Sequence, residues 1–214
     1  MNQKILFEIK KFTAKNKEIS SKKNLPACIL FTDRSRIINL ERTIKSLPKN
    51  SAIIIREYDL NIQDREIFAK KIIDLARPRG LKIIVGKDFV LAKRIKADGI
   101  HFSDLDNLPI EFFNRKNFSE KFIFSFACHN FKSFLKAEKF KVDMAFISPI
   151  FPTKSHLGTK EFGIRNLAKI SLKTKSLSYV TPAIYALGGI NPSNIAAIRK
   201  LHLSGFAAIS LLSK

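Results

Sequence analysis

A chain of 214 residues, 45% apolar and 27% charged, has the balance of one folded domain and is short for two. No apolar run reaches the roughly 18 residues of a membrane-spanning helix, and the lysine-bearing N-terminus lacks an apolar stretch ending in a small-residue cleavage site, so neither a span nor a secretory signal is read. The formal charge of +21 suits anionic ligands, but the lysines are dispersed and no aromatic-interleaved stripe accompanies them, which favours small anions over nucleic acid.

Residues 1–25 carry seven lysines against two glutamates and read as a basic extension, either a helix covering the N-terminal mouth of a barrel or a frayed arm. Residues 26–214 read as the folded unit. Residues 27–32 (ACILFT) form an apolar run ending in Asp33, and 38–47 has helical spacing. The β-branched run 52–56 precedes an amphipathic stretch, 62–77, with Ile67, Phe68, Ile72, Leu75 and Ala76 on one face and Pro78 and Gly80 closing it. Strands are predicted at 82–86, 98–102, 121–126, 143–148, 182–187 and 205–209, with helices at 88–96, 108–116, 131–139 and 164–173 between them. Asn130 is the expected N-cap of the 131–139 helix. Asn191-Pro192 opens the last helix as an N-cap followed by proline at its first position. Cys28 and Cys128 are far apart and form no metal-type pair, which fits a reducing, cytoplasmic setting.

The strands are apolar throughout rather than alternating. Such runs belong to parallel strands buried on both faces, and β–α alternation supplies the crossovers that these need. About eight such units predict a single (β/α)8 TIM barrel. The rival, an open doubly wound sheet, would carry a G-x-G-x-x-G after its first strand, and none is present.

In a barrel, ligand chemistry gathers at the C-terminal ends of the strands. There the chain places Thr32-Asp33, Arg56-Glu57, Gly86-Lys87, His101 with Asp104 and Asp106, Ala127-Cys128-His129, the 148–163 loop, Gly188-Gly189 and Ser210. Gly188 and Gly189 allow close backbone approach to a phosphate, and with Ile209 and Ser210 they form a candidate phosphate corner; a plain tight turn is the alternative. The loop Ser148-Pro149-Ile150-Phe151-Pro152-Thr153-Lys154-Ser155-His156 brings hydroxyls and cations together as a candidate lid. Arg56 leaves an apolar strand and must meet a ligand anion or a neighbour such as Asp33 or Glu57. Asp33 and Asp106 read as metal ligands or as caps. His101 either touches ligand or is packed. Cys128 and His129 are adjacent on a strand and point to opposite faces, which weighs against a nucleophilic dyad.

The order FTD…IIIRE…ADGIHF…FACHN…ISPIFPTKSH…ALGGINPSN…GFAAIS resembles the thiamine phosphate synthase and thiazole tautomerase superfamily from about residue 28 onward. The resemblance implies a β/α barrel and a transferase that joins hydroxymethylpyrimidine pyrophosphate to thiazole phosphate with release of pyrophosphate. It implies Mg²⁺, with Asp106 as a metal ligand, and Arg56, Lys87 and His156 at catalytic positions. It assigns Thr153, Ser155, Gly188, Ile209 and Ser210 to substrate and phosphate binding, and Lys154 in the loop and Gly189 in the turn join them by position. The chain departs from the family at several points. Ile54 and Tyr58 replace a Gln and a Lys, Gly86-Lys87 replaces an Asn-Asp pair, Ala127 replaces a Ser, and His156 replaces a Lys. Lys87 beside Asp106 repels a divalent cation, or neutralises pyrophosphate itself as a weaker electrophile. The second reading is a thiazole tautomerase-like or non-catalytic phosphate-binding paralogue, although Pro149 stands where the tautomerase branch has its histidine.

Overall fold

The computed structural model describes residues 3–19, 24–106, 118–153, 161–176 and 182–212. Helix α1 (Gln3–Ile19) precedes a regular alternation: β1 (Cys28–Phe31), α2 (Leu40–Ser46), β2 (Ala52–Ile55), α3 (Ile62–Ala76), β3 (Lys82–Gly86), α4 (Phe89–Arg94), β4 (Gly99–Ser103), β5 (Ile123–Cys128), α5 (Phe131–Lys139), β6 (Met144–Ile147), α6 (Gly163–Ser176), β7 (Ala183–Leu187), α7 (Ile195–Arg199) and β8 (Gly205–Ala208). The eight strands are parallel and pair in chain order, with β8 closing on β1. The predicted barrel is therefore observed and the open sheet is excluded. The predicted helix at 108–116 lies outside the described residues.

The two faces of each strand serve different cores, which is why the strand sequences are apolar throughout. Ile29, Phe31, Ala52, Ile54, Ile84, Ile123, Met144, Phe146, Tyr185 and Ala207 fill the barrel interior. The residues between them, such as Leu30, Ile53, Ile55, Val85, Phe126 and Phe206, pack outward against the helices.

Helix α1 runs along the outer face of β8 and β1, beside α7. Its Ile5, Ile9 and Phe12 are buried in the outer core, and Phe12 meets Phe206 at 5.5 Å between ring centroids. Glu8, itself buried, pairs with Arg199 Nε at 3.0 Å. Asn130 caps α5 as predicted, in a reciprocal box with Ser133.

Two local expectations are corrected. Helix α7 begins at Ile195, with Asn194 as N-cap, rather than at Pro192. The Asn191 side chain instead accepts from the amides of Ser193 and Asn194, so it closes the turn before the helix. On α3, Ile67 is exposed; Ala69, Ile72, Ile73 and Ala76 form the buried face together with Arg65. Arg65 reaches beneath the barrel rim and donates to the carbonyl of Gly86 at 2.6 Å.

Candidate active site

The strand alternation that puts Ala52 and Ile54 inside the barrel carries Arg56 into its C-terminal mouth. The Arg56 guanidinium lies over the Phe31 ring at 5.9 Å and pairs with Asp33 Oδ2 at 3.3 Å. Its backbone N–H donates to Thr32 Oγ1 at 3.0 Å, and that hydroxyl donates to the buried Glu57 Oε2 at 2.5 Å. Arg56 Nε and Glu57 Oε1 are buried with no hydrogen-bond partner. A cleft of about 530 Å³ opens here, lined by Thr32, Asp33, Arg34, Ser35, Arg56, Glu57, Tyr58 and Asp59. Asp33 is chiefly a turn-closing acceptor, since its Oδ1 takes the amide and hydroxyl of Ser35.

Next around the rim, Lys87 adopts a left-handed backbone with φ 61° and places Nζ 2.8 Å from Asp106 Oδ1. Asp106 Oδ2 accepts from the amide and the hydroxyl of Ser103 at 2.7 and 3.2 Å. Partial burial opposes ionisation of Asp106, but these bonds and the Lys87 charge together hold its carboxyl below the usual range. The Tyr58 hydroxyl lies where a β-carbon on Gly86 would be, so only glycine admits it, and the Tyr58 ring sits 5.3 Å from Lys87 Nζ.

His101 lies below this rim, inside the barrel, between the rings of Phe31 and Phe146. It is a packed histidine rather than a ligand contact. Ser125 donates its hydroxyl proton to the carbonyl of Ile100 at 3.1 Å, so its oxygen accepts from His101 Nδ1 at 3.0 Å. Burial, reinforced by the Arg56 charge, pushes the imidazole down to about 3, so it is neutral at physiological pH. Asp106, His129 and Lys87 also act electrostatically on His101.

His129 and Cys128 part company as strand geometry requires. Cys128 is buried in the outer core, while His129 Nδ1 meets Asp104 Oδ1 at 2.7 Å. Both cysteines are free and buried.

On the far side of the mouth, Gly188 and Gly189 have φ of 92° and 67°. A β-carbon on Gly189 would lie 2.5 Å from the carbonyl oxygens of Phe151 and Pro152, and one on Gly188 would lie 2.9 Å from Pro149 Cα. The two glycines therefore serve as a left-handed turn packed under the 149–152 loop, whose Ile150 and Phe151 amides donate to the carbonyls of Leu187 and Gly188. Ser210 stands at the same corner and accepts from Arg36 Nη2 at 3.1 Å. Arg36 was not singled out from the sequence; only its place in the loop after β1 hinted at it. Thr153 is described, whereas Lys154, Ser155 and His156 lie outside the described residues.

The described residues do not fit a protein-held Mg²⁺. Asp106 is engaged at both oxygens, and Asp88 Oδ1 caps α4 while its Oδ2 faces Arg65 at 3.5 Å. Among the described residues, no group of three or more His, Cys, Asp or Glu side chains could hold a metal ion.

Cations and hydroxyls at the C-terminal end of a closed β/α barrel define a protein that takes a small anionic ligand. The chain belongs to the thiamine monophosphate synthase family, whose sequence model matches residues 28–212. It is 30% identical over 190 residues to a protein of Aquifex aeolicus provisionally named thiamine-phosphate synthase 2, covering 87% of this chain and 97% of that one. It is 26% identical over 195 residues to the thiamine-phosphate synthase of Clostridium tetani, covering 89% and 90%. The solved thiamine phosphate pyrophosphorylase of Pyrococcus furiosus has the same fold, with a TM-score of 0.73 at 23% identity and 91% of each chain covered. Among the described residues, no helix is long and apolar enough to cross a membrane.

Proposed function

We propose that this chain is a thiamine phosphate synthase-type transferase of the cytoplasm that joins hydroxymethylpyrimidine pyrophosphate to thiazole phosphate. In this reaction the bond from the pyrimidine methylene carbon to the pyrophosphate oxygen breaks, and its electron pair leaves with pyrophosphate. The thiazole nitrogen supplies the pair for the new C–N bond. The chain's task is to neutralise charge on the leaving group and to hold the two reactants in line.

One observation carries this reading: the Arg56 guanidinium stands in the mouth with Nε buried and without a partner. The apolar interior below offers that donor nothing, and a pyrophosphate oxygen above supplies what it lacks. Arg56 and Lys87 take the pyrophosphate. Thr153, Gly188, Gly189, Ile209 and Ser210 take the thiazole phosphate, with Arg36 reinforcing Ser210; Lys154 and Ser155 join them as phosphate-binding residues and His156 as a catalytic one. A coupled assay for pyrophosphate release, with both substrates present, tests the reading. Turnover is expected, and Arg56→Ala is expected to lower kcat/KM by about 10²–10³-fold, the usual cost of one transition-state donor. No turnover at high enzyme concentration refutes it.

A further inference from the structure

We propose that this site binds pyrophosphate without a protein-held divalent metal, the Lys87 ammonium standing where such an ion would sit. The proposal rests on the synthase reading above for the identity of the ligand. Its physical basis is the fate of the carboxylates near Lys87 among the described residues. Asp106 gives Oδ1 to Lys87 Nζ at 2.8 Å and Oδ2 to Ser103. Asp88, the neighbour of Lys87, is consumed by capping Leu91 N at 2.8 Å and by facing Arg65. Asp104 is held by His129 at 2.7 Å. A cation approaching Asp106 meets an ammonium already at contact distance, and its repulsion outweighs what one shared carboxylate oxygen returns.

The charges balance without a metal. A divalent ion on two carboxylates sums to zero, and so does the Lys87–Asp106 pair. The pair differs in presenting its positive member outward: the Lys87 side chain is 41% exposed against 17% for Asp106. An anion entering the mouth therefore meets the ammonium first.

The backbone is shaped for this placement. A lysine at φ 61° occupies the left-handed region that side chains other than glycine rarely adopt. The residue is kept there by its N–H donating to the His101 carbonyl at 2.8 Å and by the Asp88 N–H donating to the Gly86 carbonyl at 2.8 Å. The Tyr58 ring completes one wall. Tyr58 is half exposed, but its hydroxyl end is tucked against Gly86, and desolvation pushes the phenol up to about 12. It stays neutral at working pH and adds no competing anion beside the ammonium.

The test uses the full chain and inorganic pyrophosphate as the probe, with affinity measured by calorimetry in excess EDTA and in Mg²⁺. Wild type is expected to bind in EDTA with a dissociation constant within about threefold of that in Mg²⁺, a difference of well under the 1.4 kcal/mol that marks tenfold. Lys87→Gly suits the left-handed backbone, so it should melt at or above the wild-type temperature while losing about tenfold or more in EDTA affinity. Lys87→Asp should bind poorly in EDTA and recover with Mg²⁺, because it rebuilds a carboxylate pair with Asp106. Wild-type binding that vanishes in EDTA and returns with Mg²⁺ overturns the proposal, as does a folded Lys87→Gly with unchanged affinity, or no binding under either condition. Failure of the synthase reading shows separately, as pyrophosphate binding in EDTA with no turnover.

Discussion

The two halves of the mouth are built from different materials. After β7 the turn at Gly188 and Gly189 is backbone packed on backbone, with the carbonyls of Phe151 and Pro152 occupying the space of a side chain. Across the barrel, over β1 to β5, the rim is made of paired polar side chains: Arg56 on Asp33, Lys87 on Asp106, His129 on Asp104. A corner whose shape is the chain's own path cannot change its chemistry without moving the fold. A rim of paired side chains can change charge by single substitutions, and Lys87 beside Asp106 is what such a change looks like. Of the departures from the family pattern, Tyr58, Gly86 and Lys87 fall on the side-chain half, whereas Ala127 belongs to β5 and His156 to the loop sequence after β6.

The largest expected effect tests whether the glycine corner is limited by space or only by backbone conformation. Gly80 and Gly189 have nearly the same φ, 69° and 67°, but a β-carbon on Gly80 meets nothing within 4 Å. Gly80→Ala therefore carries only the left-handed penalty, about 1–2 kcal/mol. Gly189→Ala adds a collision with two carbonyl oxygens that no side-chain rotation relieves, and its cost should reach about 3 kcal/mol or more by urea denaturation. Equal losses would mean that the 149–152 loop yields freely, and the corner would then be no more rigid than the rim.

The second effect separates the halves by pH. Gly188, Gly189, Ile209 and Ser210 bring no titratable side chain, whereas His101 lies under the charged rim and is held neutral down to about pH 3. In the unfolded chain a histidine protonates near 6.5, so between these values the unfolded state binds the extra proton. Stability is therefore intact above about pH 6.5 and falls below it, by about 1.4 kcal/mol per pH unit once well inside the window. His101→Asn keeps a donor for Ser125 but does not titrate there. Its stability should be flatter than wild type between about pH 6 and 4. The same slope in both proteins would place the acid sensitivity elsewhere.

Most of the fold was legible because parallel barrel strands are buried on both faces and so read as unbroken apolar runs. Caps such as Asn130 were legible because their partner lies three residues away. Pairs across the rim were not. Arg36 and Ser210 are 174 residues apart, and nothing short of barrel closure brings them together. Arg65 was not singled out on α3, yet it is buried under the rim to satisfy the Gly86 carbonyl. Gly188-Gly189 was read for what it lets a ligand do, while its geometry also answers to the loop packed on it. Lys87 was set beside Asp106 through the family resemblance, and the structure adds the direct contact, Nζ 2.8 Å from Oδ1.

The smallest effect grades the charged half internally. Arg34 and Asp59 form an ion pair at the outer lip, with side chains 44% and 70% exposed. Solvent screens such a pair, and Asp59→Asn should change stability by no more than about 0.5 kcal/mol. Asp33, 15% exposed, pairs with Arg56 and also accepts two bonds from Ser35. Asp33→Asn keeps an oxygen for Ser35 but removes the charge facing Arg56, so its cost should be larger, about 1–2 kcal/mol. The two variants should also differ with salt. About 0.5 M NaCl should erase the Asp59 effect and leave most of the Asp33 effect, because screening reaches the lip and not the floor. If both substitutions cost the same and fade together, Arg56 is held no more firmly than a surface arginine, and the distinction between a rim that positions charge and one that merely carries it is lost.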